Sequence, residues 1–414
     1  MYSKSTTTYP RLEQEIKPSS NESHNLWQNT IGSGLSILMN QAGYERRAHD
    51  DGLAFFRSHI VPYMGPYQSQ KDSQSWQSFM TDDFSPFEYS WSWETSPKIR
   101  YSFEPIGIHA GSTDDPFNRT RPLECAEELK FAIPGSDWRN FELFADSFYE
   151  DGSAQDASEV VPGISSPSSI FFAIEIGKET IAKAYLIPVL AEQTHTSRLS
   201  VLTESMGRVS TDLPAYGTLE DFIRGRGSDH FGVIGIAVDC IDPSLAKLKI
   251  YLRSQDTSLN HICSTLSLDG KVKTWDNNAF NDLWELWLLV LGLPKDYSKN
   301  DKLEAASHET SGILYNFDIQ PNNSLPDSKL YIPVKHYGKD DRQIARGLVT
   351  FLEQHGDIQR TREFLGAIEG LCSYRPLEDG RGLQTYISCA VKNGRLHLTS
   401  YISPQLYHRG RCGA

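Results

Sequence analysis

Lys247-Leu248-Lys249-Ile250-Tyr251-Leu252-Arg253 alternates strictly, with Leu248, Ile250 and Leu252 on one face of an extended chain and Lys247, Lys249, Tyr251 and Arg253 on the other. The apolar set makes a core face. The other carries cations and a tyrosine where a one-sided sheet would show ordinary polar groups, and the interior of a closed barrel is a setting in which such a face is useful. A Lys/Tyr-rich strand face is more often a solvated outer surface, so the barrel reading requires the pattern to recur.

It does recur. Lys183-Ala184-Tyr185 lies in the apolar run Thr180 to Leu190, Lys329-Leu330-Tyr331 opens a run to Val334, and Arg100-Tyr101-Ser102 lies within Lys98 to Ile106. Each segment places a cation two residues from a hydroxyl. Leu383 to Val391 and Arg395 to Ile402 repeat the tyrosine alone, at Tyr386 and Tyr401. Cations and tyrosines pointing into one cavity would hold a polyphosphate and surround an electron-poor centre with aromatic faces.

Composition bounds the partners. A formal net charge of −13 argues against a nucleic acid or an anionic membrane as partner, so the useful cations must be locally concentrated. The 6 cysteines, at positions 125, 240, 263, 372, 389 and 412, show no zinc-type spacing. No signal-peptide pattern is present, and free thiols in a reducing cytosol are expected. The longest apolar run, Leu286 to Leu293, is far short of a membrane span, which predicts a soluble, cytoplasmic protein. Asp82-Asp83, Asp114-Asp115 and Asp340-Asp341 are paired, but none reads Asp-Asp-x-x-Asp. No Gly-x-Ser-x-Gly, Walker lysine or dinucleotide-binding glycine pattern is found.

Residues 1–23 are Ser/Thr-rich without apolar period and read as a disordered segment. Leu26, Ile31, Leu35, Leu38 and Met39 fit an amphipathic helix ending before Gly43. Strand pairs are predicted at Phe87–Trp93 with Lys98–Ile106, turning at Glu94 to Pro97, and at Ile170–Ile176 with Thr180–Leu190, turning at Gly177-Lys178. Further pairs are Phe231–Val238 with Lys247–Arg253, Ile313–Ile319 with Lys329–Val334, and Leu383–Val391 with Arg395–Ile402. Helices are expected at 136–149, capped by Ser136, at 219–224, stopped by Gly225-Arg226-Gly227, and at 280–291, 341–354 and 357–371; 151–169 reads as a loop. The period helix, strand, strand, helix repeats with no linker long enough to separate domains. Short turns make the pairs antiparallel and the helices must pack outside: an α+β fold, one closed sheet wrapped in helices.

The ordered motifs Ser85-Pro86-Phe87-Glu88, Ile99-Arg100-Tyr101-Ser102-Phe103-Glu104-Pro105, Asp115-Pro116-Phe117-Asn118, Lys183-Ala184-Tyr185, Lys247-Leu248-Lys249-Ile250-Tyr251, Lys329-Leu330-Tyr331-Ile332-Pro333-Val334 and the Tyr386/Tyr401 pair resemble the fungal aromatic prenyltransferases of the dimethylallyltryptophan synthase type. The resemblance implies a ten-stranded antiparallel αββα-repeat barrel with the active site inside. It covers a single domain over 24–405, leaving 406–414 as a flexible tail. It implies transfer of a dimethylallyl group from dimethylallyl diphosphate to an electron-rich aromatic acceptor in secondary metabolism, without metal or other cofactor, and it leaves room for a homodimer. Arg100, Lys183, Lys247, Lys249 and Lys329 would clamp the diphosphate. Where Lys247 stands the family more commonly has arginine, so a bidentate contact is given up while the charge is kept. Tyr185, Tyr251, Tyr331, Tyr386 and Tyr401 would shield the allylic cation, Glu88 would accept a hydrogen bond from the acceptor's ring N–H, and Met80, Ile187 and Ile234 would line the acceptor pocket. Glu104, on the strand face of Arg100, is read as a structural carboxylate that could pair with a barrel cation.

Departures from the family pattern narrow the acceptor. Free-tryptophan enzymes carry a lysine, proposed as final base, on the strand that here reads Ile170-Phe171-Phe172-Ala173-Ile174. They hold the amino-acid carboxylate with a tyrosine and an arginine at positions occupied here by Ile187 and Ile234. A carboxylate facing two isoleucines would be several kcal/mol worse off, so a neutral acceptor is expected. A tryptophan-containing cyclic dipeptide or another indole alkaloid fits, and a phenolic polyketide such as a xanthone is the alternative. The reading from another class is a ligand-binding barrel without chemistry, which would gain nothing from burying five cations.

Overall fold

Alternation in each strand separates a face for the helices from a face for the barrel interior. The computed structural model describes residues 21–411 except 68–75, 95–96, 150–167, 178–179, 190, 192–195, 228–229 and 357–359. Its strands are β1 Phe87–Ser92, β2 Lys98–Phe103, β3 Ile170–Glu175, β4 Ile181–Leu186, β5 Gly232–Asp239, β6 Leu248–Ser254, β7 Ile313–Ile319, β8 Asp327–Ile332, β9 Gln384–Lys392 and β10 Arg395–Ile402. They form one closed barrel in the order β1-β10-β9-β8-β7-β6-β5-β4-β3-β2, and every pairing is antiparallel. Closure comes from β1 on β10, where Tyr89 faces Ile402 and Ser90 faces Tyr401.

Helices surround the sheet: α1 Asn21–Trp27, α2 Ser33–Gln41, α3 Arg46–Phe55, α4 Thr120–Ala132, α5 Arg139–Tyr149, α6 Arg198–Met206, α7 Pro214–Arg226, α8 Leu259–Leu266, α9 Asn277–Leu291, α10 Val334–Tyr337, α11 Asp341–Gln354 and α12 Thr361–Leu371. Outward strand residues such as Tyr101, Phe172, Ile250 and Phe317 are fully buried against them in one core. Ring contacts carry part of this packing, as in Phe56 against Tyr101 at 5.9 Å and Trp138 against Phe172 at 6.0 Å. Asp276 and Asp340 cap α9 and α11, each accepting a backbone N–H three residues on.

Several expectations need correction. The first helix is broken by a wider helical turn at Gln28–Gly32, and α1 starts at Asn21, inside the stretch read as disordered; residues 1–20 lie outside the described residues. Ser136 is not the cap of α5: the helix starts at Arg139, and Ser136 Oγ instead accepts from Trp138 Nε1 at 2.9 Å. Helix α7 begins at Pro214 and continues through Gly225, and Gly227 at φ +91° ends it. Residues 406–411 are not a loose tail. Leu406 is buried, and its N–H donates to Ser85 Oγ at 3.0 Å. Helices α3, α4, α6, α8 and α10 carry no expectation from sequence, and Val334, expected to end a strand, opens α10 instead. The loop at 151–167, turn residues 95–96 and 178, and the start of the helix expected at Asp357 fall outside the described residues.

Candidate active site

Strands β4, β6 and β8 each bring a lysine and, two residues on, a tyrosine to the barrel interior, which separates the two kinds of side chain by ~7 Å along the strand. The tyrosines form a connected belt. Ring centroids are 6.0 Å apart for Tyr185–Tyr251 and for Tyr251–Tyr331, 5.5 Å for Tyr331–Tyr401 and 6.2 Å for Tyr331–Tyr386. The Tyr251 and Tyr401 hydroxyls each lie 3.5 Å from that of Tyr331. Burial raises the pKa of Tyr185, Tyr251, Tyr331 and Tyr401, so these phenols are neutral at physiological pH.

Above the belt opens a cavity. All five tyrosines line it, together with Glu88, Met80, Ile187 and Ile234. Ile234 reaches it through a bulge in β5, where the register with β6 shifts between Val233 and Gly235. Gly235 is required at this point, because a Cβ there would stand 2.4 Å from the Leu186 carbonyl oxygen. Phe171 of β3 stacks on Tyr185 at 4.3 Å and extends the aromatic wall.

Below the belt the cations meet a set of carboxylates that the sequence reading had not singled out. Arg100 Nε donates to Glu175 Oε2 at 2.6 Å, and Lys183 Nζ lies 3.9 Å from Glu175 and 4.0 Å from Asp239. Lys249 Nζ is 2.6 Å from Asp239. Lys247 stands at the rim, 37% exposed, 3.6 Å from both Asp318 and Asp327. Burial pushes the Lys183 ammonium down to about 8, with Arg100 and Lys249 adding repulsion. Lys329 is lowered for the same first reason, against the attraction of Asp318. Glu175 is held at about 2, burial being outweighed by Arg100 and the lysines around it. Lys249 Nζ, Asp318 Oδ1 and Asn316 Nδ2 are buried without a directed hydrogen bond, so polar capacity remains in this layer.

Glu88, on β1, accepts from Thr385 Oγ1 at 2.6 Å. Burial raises its carboxyl to about 7 against the opposing effects of Thr385 and Lys335. Lys335, on α10, also lines the cavity. Its Nζ donates to Asp82 Oδ1 at 2.5 Å and lies 4.9 Å from the Tyr386 ring. Asp82, His308 and His336 offer ligand atoms within 4.8 Å of one another, but the Lys335 ammonium already supplies the positive charge there. His336 is kept neutral, lowered to about 4 by burial and by Lys335. Glu104 does not pair with a cation. It lies just past β2 and accepts from Trp76 Nε1, Ser78 Oγ, Ser168 Oγ and Asn118 Nδ2; burial among these neutral donors raises it to about 7.

Arg253 is the other functional candidate without an assigned role. Its position was visible in the opening alternation, two residues beyond Tyr251, but nothing local distinguished it from an ordinary strand-end arginine.

A closed antiparallel barrel with buried cations on one side of a tyrosine belt and an apolar cavity on the other defines an aromatic prenyltransferase of the αββα-repeat class. The family model described as tryptophan dimethylallyltransferase matches residues 23–366, and the chain belongs to that family. It is 34% identical to 4-O-dimethylallyl-L-tyrosine synthase of Claviceps purpurea, covering 97% of this chain and 93% of that protein. It is 28% identical to 7-dimethylallyltryptophan synthase of Aspergillus fumigatus, covering 94% and 87%. The solved structure of AnaPT from Neosartorya fischeri superposes with a TM-score of 0.80 at 20% identity, covering 92% of this chain and 94% of that one. The protein is a prenyltransferase. No helix among the described residues is long and apolar enough to cross a membrane.

Proposed function

We propose that the enzyme transfers a dimethylallyl group from dimethylallyl diphosphate to an electron-rich aromatic ring, with the diphosphate below the tyrosine belt and the acceptor above it. Supporting this most directly is the stacking of a cation layer, an aromatic belt and an apolar cavity along one barrel axis. Arg100, Lys183, Lys249 and Lys329, with Lys247 at the rim, receive the diphosphate. As the allylic C–O bond breaks and its electron pair leaves with the diphosphate, these fixed charges stabilise the developing anion. The belt faces the allylic cation, each ring contributing up to ~2 kcal/mol of cation–π stabilisation and excluding the water that would quench it. The acceptor donates an electron pair to the cation, a new C–C or C–O bond forms, and the proton displaced from the alkylated carbon or phenol oxygen passes to the released diphosphate or to solvent. Glu88, as carboxylate, accepts the acceptor's N–H or O–H and stabilises the positive charge gained by the ring.

An indole is the favoured acceptor, and a phenol is the second reading because the relatives include enzymes named for tyrosine as well as for tryptophan. The protein's own cations neutralise the leaving group, so no metal is required. Pyrophosphate release is to be measured on mixing the enzyme with dimethylallyl diphosphate and a panel of indoles and phenols. Acceptor-dependent release with a prenylated product is expected; no release above solvolysis with any member would return the protein to a binding barrel.

A further inference from the structure

Arg253 is 8% exposed and lines the cavity above the belt. Its Nη1 donates to the carbonyl oxygens of Thr310 at 2.5 Å and Ser311 at 3.2 Å. Those two bonds aim the guanidinium but do not neutralise it. Among the described residues no carboxylate lies within ion-pairing distance of Arg253, whereas Arg100, Lys183, Lys249 and Lys335 each have one. Asp82, the acid of the neighbouring cluster, is engaged by Lys335, and the Thr310 hydroxyl beside it is engaged by Asp82, His308 and His336. Nε and Nη2 of Arg253 donate to no described residue. A buried guanidinium with no counter-ion is an unfavourable arrangement unless something supplies the anion, and its remaining fork fits a carboxylate.

The barrel order puts β6 five strands from β1, so Arg253 and Glu88 stand on opposite walls of the cavity. Between them the lining is apolar, including Met80, Ile187, Ile234 and Phe171.

We propose that the acceptor is an aromatic carboxylic acid whose carboxylate is received by Arg253 while its ring N–H or O–H reaches Glu88. This rests on the prenyl-transfer reading above and deepens it. It also replaces the expectation drawn from Ile187 and Ile234: those positions on β4 and β5 lack the groups that hold a carboxylate, but the next strand, β6, supplies one from a different position. The acids that fit are aromatic amino acids and other aryl or indolyl acids. Neutral cyclic dipeptides would leave Arg253 without its anion.

The test pairs acids with neutral or decarboxylated analogues: L-tryptophan with tryptophanamide and tryptamine, and L-tyrosine with tyrosinamide and tyramine. Turnover is read as kcat/KM with dimethylallyl diphosphate in excess, and equilibrium binding is read separately by calorimetry. A charge-assisted contact predicts a preference for the acid of roughly 10-fold to 150-fold in both readouts. In Arg253→Gln that ratio falls toward one, with the change in KM rather than kcat, and Arg253→Lys is intermediate. Because Gln still donates to the Thr310 carbonyl and removes a charge without a counter-ion, its melting temperature should equal or exceed that of the parent. Equal binding of acid and amide by the parent, or an unchanged ratio in Arg253→Gln, overturns the proposal. So does a collapse of melting temperature in both variants, which would make Arg253 a structural strut. Acid-selective binding without any pyrophosphate release would leave the carboxylate site standing and overturn the transfer reading instead.

Discussion

Glu88 and Lys183 show how one barrel wall sets two different proton affinities. Burial raises Glu88 to about 7, and the hydrogen-bonding role proposed for it needs the carboxylate, so kcat/KM should rise with pH through about 7. Glu88→Gln keeps the shape but offers a neutral amide, so turnover should fall by one to two orders of magnitude, corresponding to ~1.5–3 kcal/mol, and the acidic limb of the profile should vanish. A wild-type rate in this variant would send Glu88 back to a structural role. Lys183 is displaced in the other sense, down to about 8. Above that pH the free enzyme loses this proton, and a bound diphosphate would restore it. Affinity for dimethylallyl diphosphate should therefore weaken by up to ~10-fold per pH unit above about 8, with proton uptake visible in calorimetry across buffers of different ionisation enthalpy. Affinity independent of pH from 7 to 10 would remove Lys183 from the diphosphate site.

Strand β3 contributes a carboxylate where the lysine of free-tryptophan enzymes was sought. Glu175 ties Arg100, Lys98 and Lys183 at 2.6, 3.0 and 3.9 Å. Its pKa is about 2 when folded against an ordinary glutamate value of 4.5, so it contributes stability that is fully present above about 4.5 and is lost as pH falls toward 2. Glu175→Gln should lower the unfolding free energy at pH 7 by about 3 kcal/mol and flatten the acid limb of the stability curve. The same change should tighten diphosphate binding, since it frees two of the cations. A variant as stable as the parent at pH 7 would show that the ion pairs merely offset their own desolvation. The elements themselves were unevenly legible. Period-two alternation located all ten strands within a few residues because it follows from covalent geometry. Helix α3, reading Arg-Arg-Ala-His-Asp-Asp-Gly-Leu-Ala-Phe, buries only Gly52 among its residues and gave no apolar stripe to read.

The whole molecule depends on joining strands about three hundred residues apart. Ser85 and Asp83, before β1, accept the backbone N–H groups of Leu406 and Tyr407 beyond β10, so the last residues latch the closure. Truncation after Ser403 should lower the melting temperature by several degrees, corresponding to ~1–3 kcal/mol for the buried Leu406 side chain and its hydrogen bonds; an unchanged melting temperature would show that β1–β10 pairing holds alone. At the same scale, the proposed diphosphate site relies on the barrel's own cations rather than on a metal ion. Activity should survive EDTA, and complete loss restored by magnesium would show that the diphosphate is neutralised by an ion.

The sequence by itself determined which side chains enter the barrel, because alternation along a strand is local, and it determined the family, because seven short motifs keep their order. It placed the cations, the tyrosines, Glu88 and the apolar residues that line the cavity on one interior surface. Only the tertiary structure decided their state. Whether Glu88 holds its proton near neutrality depends on burial, Thr385 and Lys335, from a strand and a helix far along the chain. Whether a lysine faces an acid depends on which strand lies beside it, as Lys249 on β6 finds Asp239 on β5. Arg253 looks like its neighbours in the alternation and differs from them only in having no carboxylate within reach, which is a fact about distance between remote residues and has no local signal.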